Sequence, residues 1–347
     1  MSTPVDVFIV NYNGGDRLLP TVKSVLAQTY ANKRVILSDN NSTDGSPDTV
    51  RHLTGLEYRT NRPGTGDCYG HYNSCLPDVR SPYVAFFHND DLYEPTILEK
   101  QIALMEANPA LDAVLTAGTA IGAHDEPLWP IRLPKGLDSP ILNRQQVFEY
   151  TLCHGSSFLI CPSALFRTST FERLGLMRAD LVYCGDMEMW LRILFRGGGL
   201  GYLDEPLIRY RMAVGQGSSA YELNRTELSE FFTMSESYIA QYPVSSQVRE
   251  SFEALKRLDL FQAGLNRLAK GQSPDLYFEQ LQWLTSEKGK KFNRKFGAVD
   301  RLRILGARAV APLAATRLGP VLARWVIRET DPRRSFALRS ALKLKRA

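Results

Sequence analysis

The chain has 347 residues, 44% of them hydrophobic and 23% charged, which is enough for one large domain or two domains of ordinary size. This composition excludes an intrinsically disordered chain, a collagen and a small domain stabilised mainly by disulfides. The formal net charge of +5 is unevenly distributed, because residues 287–347 carry 17 Lys or Arg against 4 Asp or Glu, whereas residues 1–286 carry 25 against 33.

Three short hydrophobic segments near the start of the chain are predicted to be strands, each followed by a polar loop. They are residues 5–10, 34–38 and 83–87, and apolar residues recur at helical spacing after the first and the third. This alternation predicts an α/β fold with a mainly parallel sheet, in which ligands bind beyond the carboxyl ends of the strands. The three polar loops are therefore expected at one edge of the sheet.

The rest of the chain is predicted to contain one more strand, a loop and then helices. Residues 113–115 fit a strand, the Pro-rich residues 127–140 fit a loop, and a helix that includes Asp186 ends at Gly197. Beyond residue 221 the pattern is helical and charged. We therefore predict an α/β domain over residues 1–220 and a helical region over residues 221–347.

Cysteine usage and hydropathy indicate a cytoplasmic protein. The five cysteines are odd in number and form no CxxC pair, which is typical of reduced thiols in the cytosol. The first residues do not fit a signal peptide, and no uncharged apolar run reaches the roughly 18 to 20 residues needed to cross a bilayer. We therefore do not expect a membrane-spanning chain.

The third polar loop, His88-Asn89-Asp90-Asp91, carries two adjacent carboxylates at the end of a hydrophobic strand. Their mutual repulsion requires a cation or hydrogen-bond donors nearby. A hard divalent ion that bridges to a diphosphate is one solution. The alternative is an Asp-rich turn that caps the helix predicted near Pro95.

The first two polar loops carry Asn11, Asn13, Asp39 and Asp44. Such side chains can hold a ribose or a base through hydrogen bonds, although each can equally form an Asx turn.

Four segments resemble, in order, the signatures of family 2 glycosyltransferases: VDVFIVNYNGGDRLLPTVKSVLAQTY, VILSDNNSTDGS, FFHNDDLYEP and GDMEMWLRIL. The resemblance covers residues 5–212. It implies an inverting enzyme with the nucleotide-diphospho-sugar-binding α/β fold called GT-A, followed here by a helical, basic C-terminal region.

The resemblance also implies where the sugar-nucleotide donor binds. Asp39 would bond the base, Asp44 would order its loop, and Asn73 with Gly66 resembles the loop under the diphosphate. Arg211 would assist the diphosphate electrostatically, or else form a surface ion pair. The residues expected to bind the donor are Val10, Asn11, Asn13, Asp39, Asn73, Asp91 and Arg211.

The resemblance implies Mn²⁺ or Mg²⁺ as cofactor. Asp90 aligns with the metal-binding carboxylate of the family, whereas His88 replaces an acidic residue that is common there. A His that completes the metal shell in many relatives is Ala213 in this chain, so that Gln216 or water would substitute, or fewer protein ligands would hold the ion.

Asp186 matches the catalytic base of the family, and Glu188 is the second choice because Gly185 stands where a Glu is common. An inverting transfer needs one carboxylate to take the proton of the acceptor hydroxyl. Without the resemblance, Asp186 would be interpreted as a helix N-cap. His154 is a weak candidate for contact with the acceptor, since a lone His in a turn is more often structural.

The basic C-terminal region alternates arginines with apolar residues near helical spacing, as between Arg301 and Arg328. A basic amphipathic stretch with Trp325 is typical of a helix that lies on an anionic membrane surface. The alternative is a packing or homo-oligomerisation element. Nucleic acid is not expected as a partner, because the first part of the chain is acidic and has no recognition motif.

Together these features predict an inverting glycosyltransferase on the inner face of the cell membrane. It would transfer a sugar from a nucleotide-diphospho sugar to a lipid-linked or glycan acceptor in bacterial surface-polysaccharide synthesis. The expected donor is a UDP-sugar. A dTDP-rhamnose donor is an alternative. A non-catalytic GT-A scaffold is another, motivated by His88, Gly185 and Ala213 at positions where the family usually has functional groups.

Overall fold

The computed structural model describes residues 2–155, 157–212, 225–287, 289–290 and 298–329. The chain divides into two compact units, residues 1–151 with 156–213, and residues 152–155 with 214–347. The predicted boundary at residue 220 lies in the segment 213–224, outside the described residues, and stays a prediction. No helix among the described residues is both long and apolar enough to cross a bilayer.

The first unit is built on a mixed sheet whose described strands are numbered in chain order. They are β1 Val5–Asn11, β2 Lys33–Asp39, β3 Leu56–Thr60, β4 Tyr83–His88, β5 Leu92–Tyr93, β6 Ala113–Ile121, β7 Pro127–Ile131, β8 Leu165–Arg167 and β9 Leu200–Arg211. Their spatial order is β3-β2-β1-β4-β8-β6-β9-β5, with β7 paired to β6. β1, β2, β3, β4, β6 and β9 share one direction, and β5, β7 and β8 oppose it. The predicted α/β fold with a mainly parallel sheet is confirmed.

Helices connect these strands. They are α1 Leu18–Leu26, α2 Cys68–Cys75, α3 Ile97–Ala107, α4 Arg144–His154, α5 Ser169–Leu174 and α6 Gly185–Arg196. α6 ends at Gly197, as the sequence predicts. The N-cap of α3 is Thr96, so Asp90 and Asp91 do not cap this helix.

The central strand β1 is completely buried because both faces of the sheet are covered. Phe8 and Val10 join one apolar cluster, and Val7 and Ile9 join another. Burying a side chain of this size contributes about 1.5 to 3 kcal/mol. This alternation fixes the register of β1, which pairs Asn11 with Asp39 on one side.

One sequence prediction about the sheet is wrong. Residues 127–131 do not form a loop, since they make β7, an antiparallel strand that pairs with the end of β6. Pro127 and Pro130 are compatible with this strand because β7 pairs only with β6 among the described strands, and a missing amide donor is tolerated at such an edge.

The second unit is helical in its described part, as predicted. Its helices are α7 Glu230–Gln241, α8 Ser246–Ala269, α9 Asp275–Thr285, α10 Ala298–Val310 and α11 Gly319–Glu329. Phe261 and Leu265 of α8, Tyr277 of α9, Ile304 of α10 and Val326 of α11 belong to one buried cluster. α11 packs onto the longer helix α8, and α10 packs against α11 and α9.

Candidate active site

The three polar loops meet at the carboxyl ends of β2, β1 and β4, because the register aligns these ends. Asn11 pairs with Asp39, and Val10 pairs with His88. The buried side chain of Asn11 donates to Oδ1 of Asp39 at 2.8 Å and accepts from Nδ2 of Asn89 at 2.7 Å. One amide group thus connects the loops that follow all three strands.

Asp39 is held from within its own loop. Its Oδ1 accepts the hydroxyl of Ser42 at 2.6 Å, and its Oδ2 accepts the amide of Ser42 at 3.1 Å. Asn13 is exposed and joins the same network, since its amide donates to Ser42 Oγ at 2.9 Å and its side-chain oxygen accepts the amide of Thr43 at 2.9 Å. Val10, the residue before Asn11 in β1, is buried.

Asp44 ties the first loop to the second. Its carboxylate accepts the amide of Gly15 at 2.9 Å and the amide of Ser46 at 3.0 Å. The side chains that follow β1 and β2 therefore form one ordered polar surface, with hydrogen-bonding groups of both donor and acceptor kind.

Arg211, the last residue of β9, fixes the acidic loop after β4. Its backbone amide donates to Oδ1 of Asp91 at 2.7 Å, and its Nε donates to the carbonyl of Asp90 at 2.7 Å. Its Nη1 donates to the carbonyl of Gly122 at 2.7 Å, and its Nη2 pairs with Asp125. The guanidinium is buried in this anchor, a role that the sequence did not predict.

Asp91 is fully buried, and its Oδ2 has no hydrogen-bond partner among the described residues. Burial raises the pKa of Asp91 well above its usual range, and the Asp90 carboxylate raises it further. A buried carboxylate oxygen without a donor is costly, and a divalent cation would supply the missing charge. One ligand atom each from His88, Asp90 and Asp91 lie within 4.8 Å of one another, so these residues could hold a metal ion.

His88 is supported by aromatic side chains that sequence reasoning missed. Its Nε2 is hydrogen-bonded to the hydroxyl of Tyr72, which also lies 3.8 Å from Sγ of Cys161. The ring of Tyr72 stacks on Phe86 with centroids 5.0 Å apart. Burial lowers the pKa of His88, although Asp90 opposes this effect.

Asp186 lies in the first turn of α6, whose N-cap is Cys184. Its Oδ1 accepts the hydroxyl of Tyr69 at 3.1 Å and the amide of Met187 at 2.8 Å. Burial raises the pKa of Asp186, against these two hydrogen bonds, which lower it. A carboxylate with a raised pKa is a better proton acceptor near neutral pH than an ordinary Asp.

Gly185 makes the contact between Tyr69 and α6 possible. A Cβ at this position would lie 2.6 Å from Cε2 of Tyr69 and 3.0 Å from the carbonyl of Arg178. The ring of Tyr69 therefore occupies the space of a side chain at residue 185, next to Asp186.

The acidic loop and Asp186 act on the same neighbouring side chains. Burial and the charges of Asp91, Asp90 and Asp186 all raise the pKa of Tyr210. The pKa of Cys161 is likewise raised by burial, Asp186 and Asp91. The structure thus brings the predicted base and the predicted metal residues into one electrostatic environment.

Three other predicted residues have contacts that their expected roles did not include. Arg211 is buried and its guanidinium anchors the acidic loop, so it is not a surface residue, and its role towards a diphosphate stays a prediction. Asn73 binds the backbone of Met177 through both amide atoms, at 2.8 and 3.0 Å. Glu188 is buried and pairs with Arg192 at 2.6 Å, which disfavours it as an alternative base.

Of the remaining candidates, the structure describes His154 and Gly66. His154 is exposed at the end of α4 and belongs to the second unit. Ala213 and Gln216 lie outside the described residues. Gly66 adopts a φ of 80° in the loop before α2.

Comparison with known proteins identifies the family. Residues 6–175 match the model described as glycosyl transferase family 2. The chain is 26% identical over 225 residues to an uncharacterised glycosyltransferase of Rickettsia prowazekii, which covers 64% of this chain and 68% of that protein. The match to this family model confirms the resemblance that the sequence motifs predict.

Solved structures support the same fold. TarS 1–349 of S. aureus, solved in complex with UDP-GlcNAc, is similar with a TM-score of 0.58 at 15% identity, over 93% of this chain and 90% of that one. A mannosyltransferase of Pyrobaculum calidifontis, solved with GDP-Man and Mn²⁺, gives a TM-score of 0.52 at 16% identity, over 94% and 86%. The predicted GT-A fold is therefore confirmed.

Proposed function

We propose that this family 2 glycosyltransferase transfers a sugar from a nucleotide-diphospho sugar with inversion, using Asp186 as the base. The observation that carries this proposal is the carboxylate of Asp186, which accepts hydrogen bonds from the Tyr69 hydroxyl and the Met187 amide. Its raised pKa suits a group that must take a proton from a hydroxyl.

In the proposed reaction, Asp186 accepts the proton of the acceptor hydroxyl while that oxygen attacks the anomeric carbon. The bond from this carbon to the diphosphate oxygen breaks on the opposite face, and the nucleoside diphosphate leaves with the electron pair. The polar surface around Asn11, Asn13 and Asp39 would bind the nucleoside. Its mixed donors and acceptors suit a base and a ribose.

Divalent metal is part of the proposal, with Asp90 and Asp91 as ligands. A bound Mn²⁺ or Mg²⁺ would stabilise negative charge on the leaving diphosphate. Arg211 would hold the Asp91 carboxylate in position through its backbone amide, and the backbone of Asp90 through its Nε. The unpartnered Oδ2 of Asp91 supports this assignment.

The proposed donor is a UDP-sugar, and dTDP-rhamnose is the alternative to be tested beside it. The proposed acceptor is a lipid-linked glycan of bacterial surface-polysaccharide synthesis, which would require the enzyme at the cytoplasmic face of the membrane. The proposed membrane location is supported by the second unit. There α10 and α11 each have one buried face and expose basic and apolar residues on the opposite face.

On α11, Val321 and Trp325 are more than half exposed beside the exposed Arg324, whereas Ala323 and Val326 are buried. On α10, the exposed residues Arg301, Leu305 and Arg308 recur on one face at helical spacing, and Ile304 and Ala307 are buried. Residues 301–328 include six Arg and no Asp or Glu. This combination suits an anionic lipid surface.

The proposal is tested by release of nucleoside diphosphate from a panel of sugar nucleotides with Mn²⁺, with Mg²⁺ and with EDTA. Asp186→Asn should lower turnover by about 10² to 10⁴-fold while donor binding is retained, and Asp138→Asn, an exposed change, should not. Turnover that survives both EDTA and Asp186→Asn would contradict the mechanism. Calorimetry that detects no binding of any sugar nucleotide, with or without Mn²⁺, would favour the scaffold alternative.

A further inference from the structure

The metal-binding loop of this chain offers an imidazole where a carboxylate is common in the family. One ring nitrogen of His88 lies within 4.8 Å of a carboxylate oxygen of Asp90 and of Asp91. Ligand atoms on opposite sides of one ion lie up to about 4.4 Å apart, since metal–ligand distances are about 2.0 to 2.2 Å. The three side chains are therefore near enough to hold a single ion once they close around it.

A second observation, the hydrogen bonding of Asp91, indicates that a cation belongs there. Oδ2 of Asp91 is buried and lacks a hydrogen-bond donor among the described residues, although Oδ1 of the same carboxylate is fixed by the amide of Arg211. One oxygen of Asp91 thus has a donor, and the other has none in the described part of the chain. An unsatisfied buried oxygen on a hydrogen-bonded carboxylate is suited to coordinate a metal ion.

The hydrogen bond between His88 and Tyr72 occupies Nε2 of the imidazole, so that Nδ1 is the ring nitrogen left for an ion. When Nε2–H donates to the oxygen of Tyr72, the Tyr72 hydroxyl is oriented to donate to Sγ of Cys161, 3.8 Å away. Nδ1 of His88 is then unprotonated and carries a free lone pair. Metal-bound His residues are commonly oriented by such a hydrogen bond from the other ring nitrogen.

We propose that His88 is a metal ligand through Nδ1 and that Tyr72 is its positioning residue, so that this enzyme selects Mn²⁺ over Mg²⁺. Imidazole is a good ligand for transition-metal ions and a poor one for Mg²⁺, which prefers oxygen. Replacing one carboxylate by a neutral imidazole also removes one negative charge from the site, which weakens the electrostatic attraction for any hard cation. The inference rests on the metal dependence in the proposed function.

The test is electron paramagnetic resonance of Mn²⁺ bound to the full chain without substrate, together with calorimetric titration of Mn²⁺ and Mg²⁺. We expect nitrogen hyperfine coupling in the Mn²⁺ spectrum and tighter binding of Mn²⁺ than of Mg²⁺. His88→Ala should abolish the coupling, and His88→Asp should narrow the Mn²⁺ to Mg²⁺ affinity ratio at least tenfold. His124→Ala, an exposed control, should change neither.

Tyr72→Phe should weaken Mn²⁺ binding by about 10 to 100-fold while the nitrogen coupling remains, as expected for loss of a supporting hydrogen bond. Mn²⁺ bound without nitrogen coupling in the unaltered chain would overturn the inference about His88 alone. Absence of any Mn²⁺ binding would overturn the metal dependence of the proposed function as well. The spectrum of the unaltered chain decides the matter even if a variant fails to fold.

Discussion

The hydroxyl of Tyr69 donates a hydrogen bond of 3.1 Å to Oδ1 of Asp186, although 117 positions separate the two residues in the chain. Tyr69 lies in α2 and Asp186 in α6. Burial raises the pKa of Asp186, and the contact with Tyr69 is one of the hydrogen bonds that lower it, so Tyr69 adjusts the basicity of the proposed base.

The raised pKa of Asp186 predicts an acidic limb in the pH profile of kcat/KM. Since the base must be deprotonated, activity falls as pH decreases through a pKa above the usual value of 3.8. Tyr69→Phe removes a hydrogen bond that favours the charged carboxylate, and the limb should therefore move to higher pH. Tyr58→Phe, on the exposed side of β3, is the control. If the acidic limb lies at the same pH in the unaltered enzyme and in Tyr69→Phe, the assignment of this limb to Asp186 is contradicted.

Gly185→Ala is expected to lower the free energy of unfolding by about 1 to 3 kcal/mol, because the new Cβ would overlap the ring of Tyr69. In a Tyr69→Ala background, Gly185→Ala should lower the free energy of unfolding by less. Chemical denaturation of the four proteins of this double-mutant cycle measures the difference. Gly306→Ala in α10 meets Val326 only at 3.5 Å and serves as the control. Equal costs of Gly185→Ala with and without the Tyr69 ring would show that the two residues do not interact.

Arg211→Met should lower the free energy of unfolding by about 2 to 4 kcal/mol, because the carbonyls of Asp90 and Gly122 each lose a hydrogen bond from the buried guanidinium. It should also weaken metal binding, since the acidic loop loses its anchor. Arg209→Met, two residues earlier on β9, removes an exposed pair with Glu94 and should cost less than about 1 kcal/mol. Similar losses for the two variants in urea denaturation would argue against the anchor.

His71 predicts an acid-sensitive contribution to stability. It is buried against Ser38, with His71 Nε2 2.9 Å from Ser38 Oγ, and burial lowers its pKa to about 4. In the unfolded chain it takes up a proton near pH 6.5, so stability decreases as pH falls from 6.5 towards 4. The loss should be on the order of 3 kcal/mol.

Urea denaturation across this pH range measures the effect. His71→Gln should flatten the dependence, whereas His52→Gln, at an exposed position, should leave it unchanged. A steep slope that persists in His71→Gln would assign the acid sensitivity to another group.

The proposed membrane surface predicts flotation of the full chain with anionic liposomes and not with zwitterionic ones. Val321→Ser with Trp325→Ser should reduce flotation at least severalfold, because both apolar side chains are exposed on α11. Phe278→Ser, which changes an exposed aromatic of α9, is the matched control. Equal flotation of the surface variant and the unaltered chain would exclude this face as the lipid contact.

The carboxyl edge of the sheet could be predicted because its signals are local. A buried strand needs a run of apolar residues, and the polar residues that follow it, such as Asn11, Asp39 and Asp90, must then lie where the strand ends. The family motifs added the helix of Asp186. These predictions needed no knowledge of which distant segments meet.

Contacts between distant segments could not be predicted in this way. Arg211 has the charge of a diphosphate ligand, but its partners Asp90 and Gly122 come from other strands and loops, about 90 to 120 positions earlier. Tyr69 had no sequence signal, since its role depends on the space left by Gly185. Pro127 and Pro130 suggested a loop, because only the sheet order shows that their strand has a neighbour on one side.

Asn11 has a consequence for binding thermodynamics. A single amide side chain donates to Asp39 in the proposed nucleoside pocket and accepts from Asn89 in the acidic loop. A ligand that orders one loop lowers the entropy lost when the other is ordered. Nucleotide and cation are therefore expected to bind with positive heterotropic cooperativity, each raising the affinity for the other by the same factor.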